Sequence, residues 1–575
     1  MSTLAFPPCG IERRLAEQYV NIYCRETGFP LSPIPPHDQT AAPLPPPYLA
    51  WREAGLTPFM LPLPQSGQQI AGALSYVSSI GYHRLGDVLW LGHLGKWARL
   101  DDVRQLCDLI AAGLAATSPA PELAHDNMER LRGLMRQSVA RVKRFHQDTA
   151  PPPTRPAYAA SEQGLRFGHV FHVTAKAAEG CNDGDLDEYA PELGAAFRLH
   201  YFAVRAGLLE SCAIGRQALP VDPEAARHAD ALLDDGDYRL LPCHPWQARY
   251  LTGQPRIMEW LRDGSMLSLG PMGELAWPTS SVRTVWLPRQ ALFLKLPLNL
   301  RITNFMRNNP DLLVRRALDV SRALALLPAE RIRSMRFQVL PEIGYDAPRV
   351  ANGALRAACA VLYREAMPLE ESSQVHLMAT LLEESATGAL PLLDILRQAG
   401  GGSIDTALAM RWWLRYLDVT LLPMLELYAD YGVSLEAHLQ NSLVRFIEGW
   451  PVCGYVRDME GAAISSLRFP FAGTMDIDSP ALCPEEHAWR QLQYAVLVNH
   501  VGHVAACLAR AQLGDEANFW RAAVRRLRLC SPNARLLVDE LLYQPTLPAK
   551  ANMLSSFHQQ GESPAWVCVP NPLKR

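Results

Sequence analysis

Between Pro278 and Arg307 the chain gathers hydroxyls and cations at spacings that suit a polyanion. The run Pro278-Thr-Ser-Ser-Val-Arg-Thr284 carries Thr279, Ser280, Ser281 and Thr284. Arg283, Lys295 and Arg307 add three spaced cations, with Thr303 shortly before the last. Hydroxyls and backbone N–H groups cradle phosphate oxygens, Arg supplies a planar fork, and Lys a compact point charge. The alternation Ala291-Leu-Phe-Leu-Lys-Leu296 predicts a strand on which Lys295 shares a face with Phe293 and opposes Leu294 and Leu296. These features point to a site for a nucleotide's phosphates. Taken without the rest of the chain, they also fit a solvated surface hairpin.

Other stretches carry further chemistry. Gly168-His-Val-Phe-His172 sets two imidazoles three residues apart, with Lys176 four beyond. A strand would send His169 and His172 to opposite faces, and a helical turn would bring them together. Two His without a third ligand nearby make a poor zinc site, which leaves carboxylate binding or plain packing. In Leu241-Pro-Cys-His-Pro-Trp-Gln247, His244 is expected to fix a turn and Trp246 to wedge into the core. Glu436-Ala-His-Leu-Gln-Asn441 predicts one helical face presenting His438 and Asn441, with Arg457-Asp458 beyond an apolar stretch. The Glu436 and Asp458 carboxylates and the Asn441 amide are the hard oxygen donors that magnesium takes when it bridges phosphates. Tyr494, Asn499, His500 and His503 fall on a later helical segment and read as structural.

Three regions must position these residues: 1–155, 156–370 and 371–575. The first is expected to be helical, over 11–24, 103–116 and 121–147. The last of these opens on Pro121 and carries Leu131, Leu134, Val139 and Val142 at helical spacing. Proline-rich stretches at 30–47 and 151–156 punctuate it. The second region predicts strands over 238–242, 266–270, 282–287 and 291–296, with Pro288-Arg289 at a turn, hence an antiparallel α+β unit. The third predicts helices over 391–398, 406–428 and 489–512, interrupted by a short hairpin near 452–463.

Composition sets outer bounds. The 575 residues allow three or four units, at about 150 residues per domain. A formal net charge of -3 without a long basic run offers no footprint for nucleic acid. The 12 cysteines form no CxxC pair, so neither a zinc ribbon nor a disulfide framework is indicated. The first ten residues lack a basic leader followed by an apolar core. No uncharged apolar run is expected to approach the ~20 residues that cross a bilayer. The expectation is a cytoplasmic protein that does not enter the membrane.

The ordered elements Gly168-His…His172…Lys176, His244-Pro-Trp-Gln247, Pro278-Thr-Ser-Ser-x-Arg-Thr284, Lys295-Leu, Thr303…Arg307, Glu436-x-His-x-Gln-Asn441, Arg457-Asp458 and Pro570-Asn-Pro-Leu573 resemble the NRPS-independent siderophore (NIS) synthetases, the aerobactin-synthetase-like family. The resemblance implies a helical thumb (1–155), α+β fingers with an antiparallel sheet (156–370) and a mainly helical palm (371–575), with ATP between fingers and palm. It also implies a reaction. ATP and a carboxylate, commonly of citrate or a citryl derivative, give an acyl-adenylate and pyrophosphate, and an amine or alcohol then captures the acyl group. By the same resemblance, Ser280, Ser281, Arg283, Thr284 and Lys295 would hold the triphosphate and adenylate. Arg307 and His438 would contact phosphate near the reacting carboxylate, making Lys295, Arg307 and His438 the catalytic set. Asn441 and Asp458 would complete the nucleotide and magnesium side, with Glu436 as a further metal or substrate contact. His169, Thr303 and Arg307 would face the acid. Val170 and Val173 stand where the family shows prolines, which implies a less rigid backbone beside His169. A homodimer is compatible with the resemblance, and no stretch of sequence marks its interface. Two other readings stay open: a kinase-like phosphotransferase using His438, Asn441 and Asp458, and a non-catalytic citrate-binding protein. Against the first, no glycine-rich phosphate loop is present.

Overall fold

A computed structural model describes residues 10–34, 43–63, 66–147, 155–233, 237–303, 305–561 and 564–574. Most of the 151–156 proline stretch and part of the 30–47 stretch lie outside the described residues. The first region contains the expected helices, Ile11–Thr27, Val103–Ala116 and Pro121–Phe145. It is not simply helical, however. A six-stranded antiparallel sheet is built on Thr57–Leu63, Gln68–Tyr76 and Leu89–His93, edged by Lys96–Leu100, Ser32–Pro33 and the short Arg84–Leu85. Pro58, Pro62 and Gly72 disguise these strands in sequence, since such residues ordinarily argue against a strand interior. Gly72 has a packing reason, because a Cβ there would lie 2.7 Å from the Phe59 ring.

The second region is the predicted antiparallel sheet, larger than expected. Its eight strands run in the order Tyr238–Cys243, Phe197–Arg205, Met266–Pro278, Thr284–Leu287, Leu292–Lys295, Val361–Glu365, Glu342–Pro348 and Leu209–Ala213. Thr284 pairs with Lys295 and Leu287 with Leu292, so the hairpin that holds Lys295 sits in mid-sheet. All four residues of each of its strands are buried, which removes the surface-hairpin reading.

A four-stranded sheet supports the other wall. Phe337–Leu340 pairs in parallel with Trp450–Arg457, which pairs antiparallel with Ser442–Ile447, and Val375–Leu377 completes it. The hairpin expected near 452–463 therefore begins earlier and turns at Glu448-Gly449, both at positive φ (49° and 76°). That geometry is a two-residue I′ turn, whose second position favours Gly. A Cβ on Gly449 would also meet the Ile395 carbonyl at 2.3 Å. Gly449→Ala is expected to cost at least about 2 kcal/mol, read as a lowered denaturant midpoint.

The helix expected over 406–428 breaks at Thr420 into Thr406–Val419 and Leu421–Tyr431, because Pro423 cannot donate to the preceding turn. The segment Glu485–Arg510 is, by length and hydropathy, apolar enough to cross a membrane, contrary to the sequence expectation. Its most apolar stretch is instead buried in the protein, where most of its hydrophobic residues belong to a core cluster running from Leu15 to Leu573, while Glu486, His487 and Arg490 stay exposed.

Candidate active site

A cavity of about 1360 Å³ opens between the two sheets, and every candidate residue named from the sequence lines it. Such convergence of charged groups from distant chain segments marks a default binding site.

The hydroxyl loop leaves the strand Met266–Pro278 in a tight turn. Thr279 N–H donates to the Thr284 carbonyl (2.8 Å) and Val282 N–H to the Thr279 carbonyl (2.9 Å). Val282 takes φ 68°, and Thr303 and Asp458, which line the same cavity, take 59° and 74°. Positive φ is an outlier for β-branched residues, so backbone strain concentrates at this site. Ser281 Oγ accepts Thr284 N–H at 3.3 Å. The Ser280 hydroxyl donates to Glu162 (3.2 Å) and is directed at that buried carboxylate.

Arg283 is buried. Its Nη1 donates to the Arg307 and Asn308 carbonyls and to Asn309 Oδ1 (2.6 Å), which ties the hydroxyl loop to the segment carrying Arg307. Lys295, 3% exposed, lies 2.5 Å from both Asp458 and Glu460. Asp458 also meets Arg364 at 3.1 Å, and Arg364 is itself held by Glu342. Burial opposes the charged form of Asp458, but Lys295 and Arg364 hold its carboxyl far below the usual range. Arg307 is treated differently. Its Nη2 donates to the Ile302 carbonyl and Thr303 Oγ1 (both 3.0 Å), while its buried Nε has no hydrogen-bond partner among the described residues. Burial, then the nearby Arg283 charge, lowers its pKa to about 10.

The segment 436–441 is a loop closed by a turn, not the expected helix. Asn441 N–H donates to the His438 carbonyl (2.9 Å), and the Asn441 carboxamide lies 3.4 Å from His438 Nε2. The turn still brings His438 and Asn441 together. His438 Nδ1 is buried without a partner among the described residues, and burial lowers the imidazole's pKa. Glu436 pairs with Lys550 at 2.7 Å, which keeps it ionised against burial. Among the described residues no group of three or more His, Cys, Asp or Glu forms a ready metal site. Glu436, Asp458 and Glu460 nevertheless supply hard oxygens that could share a divalent cation with phosphates, which needs one or two carboxylates.

His169 faces the cavity with its Nε2 3.1 Å from the Asn499 carboxamide. Burial, then His438 and His172, keeps it neutral. The backbone beside it is held despite Val170 and Val173. Glu383 accepts N–H groups from Arg166 (2.6 Å), Phe167 (2.9 Å) and Gly168 (3.1 Å), and Gln18 donates to the His169 carbonyl (2.9 Å). His172 closes a turn onto His169 (3.1 Å) and lines the same cavity.

Two expectations change. Trp246 is half-buried and lines the cavity instead of wedging into the core, stacked on Tyr250 at 6.2 Å. Tyr494, Asn499 and His503 also reach the cavity, because a π-helical stretch, Gln493–Val501, turns that helix; His500 stays buried. Sequence reasoning missed Glu162, Arg364, Glu460 and Lys550. Glu460, two residues after Asp458, carried the one local signal.

His244 caps the helix Pro245–Thr252 by accepting Trp246 N–H (3.1 Å), as expected of a turn residue. Burial lowers its pKa to about 3 and that of His500 to about 4. Unfolding restores their ordinary basicity, so up to about pH 6.5 the unfolded chain binds more protons. Stability should therefore rise with pH through roughly 4 to 6.5, seen as a falling melting temperature on acidification. His244→Asn keeps a capping side chain and should flatten part of that slope.

The profile described as the IucA / IucC family matches residues 157–383, and that described as a ferric iron reductase FhuF-like transporter matches residues 410–565. The L-2,3-diaminopropanoate–citrate ligase of Staphylococcus aureus is 31% identical over 529 residues, spanning 88% of this chain and 90% of that protein. The N(2)-citryl-N(6)-acetyl-N(6)-hydroxylysine synthase of Vibrio mimicus is 27% identical, spanning 92% of each. The structure of ATP-bound aerobactin synthetase IucA from Klebsiella pneumoniae superposes with a TM-score of 0.80 at 23% identity, covering 98% of this chain and 99% of that one. That likeness establishes a shared mixed helix-and-sheet fold.

Proposed function

The chain belongs to the IucA / IucC family, and from that premise we propose that it is a cytoplasmic ATP-dependent ligase joining a carboxylate of citrate, or of a citryl derivative, to an amine in siderophore biosynthesis. The observation that carries this reading is the convergence of Arg283, Lys295 and Arg307 on one cavity, in a chain so similar to a diaminopropanoate–citrate ligase. In this reading the intervals 1–155, 156–370 and 371–575 act as thumb, fingers and palm.

Citrate and ATP together carry roughly seven negative charges, and two unit charges 4 Å apart repel by about 4 kcal/mol at an effective dielectric of 20. The cavity's cations offset that repulsion. A citrate carboxylate oxygen attacks the α-phosphorus, the bond to the β-phosphate bridging oxygen breaks, and pyrophosphate leaves. Ser281, Thr284, Arg283 and Lys295 bind the triphosphate, with Asn441 on the nucleotide side. Arg307 and His438 face the oxygens on which charge develops, where preorganised donors stabilise the transition state. His169 and Thr303 orient the acid, and alignment of two bound reactants contributes about 7–11 kcal/mol. Magnesium held by Asp458 with Glu436 or Glu460 would supply charge neutralisation at the phosphates. In the second half the amine nitrogen attacks the acyl carbon, loses its proton, and AMP departs.

Product analysis tests this directly. Citrate with ATP and an amine panel that includes L-2,3-diaminopropanoate is expected to yield AMP and pyrophosphate. ADP would favour the phosphotransferase, and absence of turnover the non-catalytic carrier.

A further inference from the structure

We propose that Glu162 is a positioning residue: it closes a ring of hydrogen bonds through Ser280, Gln440 and Arg457 that sets the spacing between the loops gripping the nucleotide. The inference rests on the nucleotide reading above and names the device that shapes that site.

Glu162 lies in the helix Ala157–Gln163, 1% exposed, behind the cavity wall. Its Oε2 accepts the Ser280 N–H (3.1 Å), the Ser280 hydroxyl (3.2 Å) and Arg457 Nη2 (3.0 Å). Its Oε1 accepts Arg457 Nη1 (2.6 Å) and the Tyr158 hydroxyl. Gln440 closes the ring. Its Nε2 donates to the Ser280 carbonyl and its own carbonyl accepts Arg457 Nη2, both at 2.9 Å. The four members come from four places: a helix, the turn just past the long strand Met266–Pro278, the turn before Ser442–Ile447, and the end of Trp450–Arg457.

Two consequences follow. Arg457 lines the cavity as a cation, yet Glu162 holds both of its terminal nitrogens, so it anchors the loop that carries Asp458 and does not grip phosphate. The hydroxyl loop and the His438–Asn441 turn are fixed to that anchor through Ser280 and Gln440. His169 and Thr303, at the acid's end, are not members of the ring. A fault in the ring should therefore be felt by ATP and not by the acid. Misplacing a binding loop by about 1 Å costs on the order of 10²-fold.

The test uses the full chain, measuring acid-dependent pyrophosphate release and the calorimetric Kd for ATP. Gln440→Ala cuts the tie to Ser280 and leaves the buried ion pair whole. The double variant Glu162→Gln/Arg457→Met replaces that pair with neutral groups of similar volume and strands no lone charge. Both are expected to raise KM and Kd for ATP at least about tenfold while KM for the acid stays within about twofold. A wild-type ATP KM in both, or equal shifts for ATP and acid, would show the ring to be merely structural. Impairment of the double variant with a normal Gln440→Ala would take Gln440 out of the device and overturn the ring as proposed. If the double variant fails to fold, Gln440→Ala alone decides. A wild-type protein that releases no pyrophosphate would sink the ligase reading instead, and the ATP Kd would still judge the ring.

Discussion

Arg307→Ala is expected to lower acid-dependent pyrophosphate release by about 10²–10³-fold while leaving the melting temperature unchanged or slightly higher. The asymmetry comes from how the guanidinium is held. It is paired with a carbonyl and a hydroxyl, one buried nitrogen has no partner among the described residues, and Arg283 repels it. Asp458 and Glu460 favour this half-buried cation without bonding it and only partly offset burial and Arg283, so the cation costs stability in the empty protein until an anion arrives. Removal therefore relieves the resting fold and disables the reaction. Near wild-type turnover would take Arg307 out of the site, and a collapsed melting temperature would make it structural.

How much of this was readable beforehand depends on the range of the interaction. The Lys295 strand, the hydroxyl turn and the helices Val103–Ala116 and Pro121–Phe145 are written in local alternation and caps, and they stand where expected. The sheet of the first region was hidden, because Pro58, Pro62 and Gly72 serve packing and edge pairing that no window of sequence displays. The turn at 438–441 was read as a helix because a spacing of three fits both. The partners of the site residues were the least legible. Glu162 lies 295 residues from Arg457, and Lys550 lies 114 from Glu436, so nothing local links them. Read from its hairpin alone, Lys295 shows no counter-ion. Its two carboxylate partners change that.

Lys295→Met should accordingly lose both stability and ATP use. The substitution leaves Asp458 and Glu460 facing each other at a wall where Lys295 had met both at 2.5 Å. Removing one partner of a buried ion pair costs about 3–5 kcal/mol, because the remaining charge is uncompensated. Arg364 at 3.1 Å from Asp458 and Arg283 at 3.5 Å from Glu460 limit the damage without abolishing it. The same two carboxylates would then repel the triphosphate, so turnover should fall by about 10²-fold or more. The two losses have separable causes, and a second substitution divides them. Lys295→Met/Glu460→Gln removes one of the stranded charges and is expected to recover most of the lost melting temperature. It restores no ammonium, so ATP binding should stay weak. If the double variant regained turnover along with stability, Lys295 would be a counter-ion that keeps the wall folded, and the phosphate contact would have to be reassigned to Arg283 and Arg307.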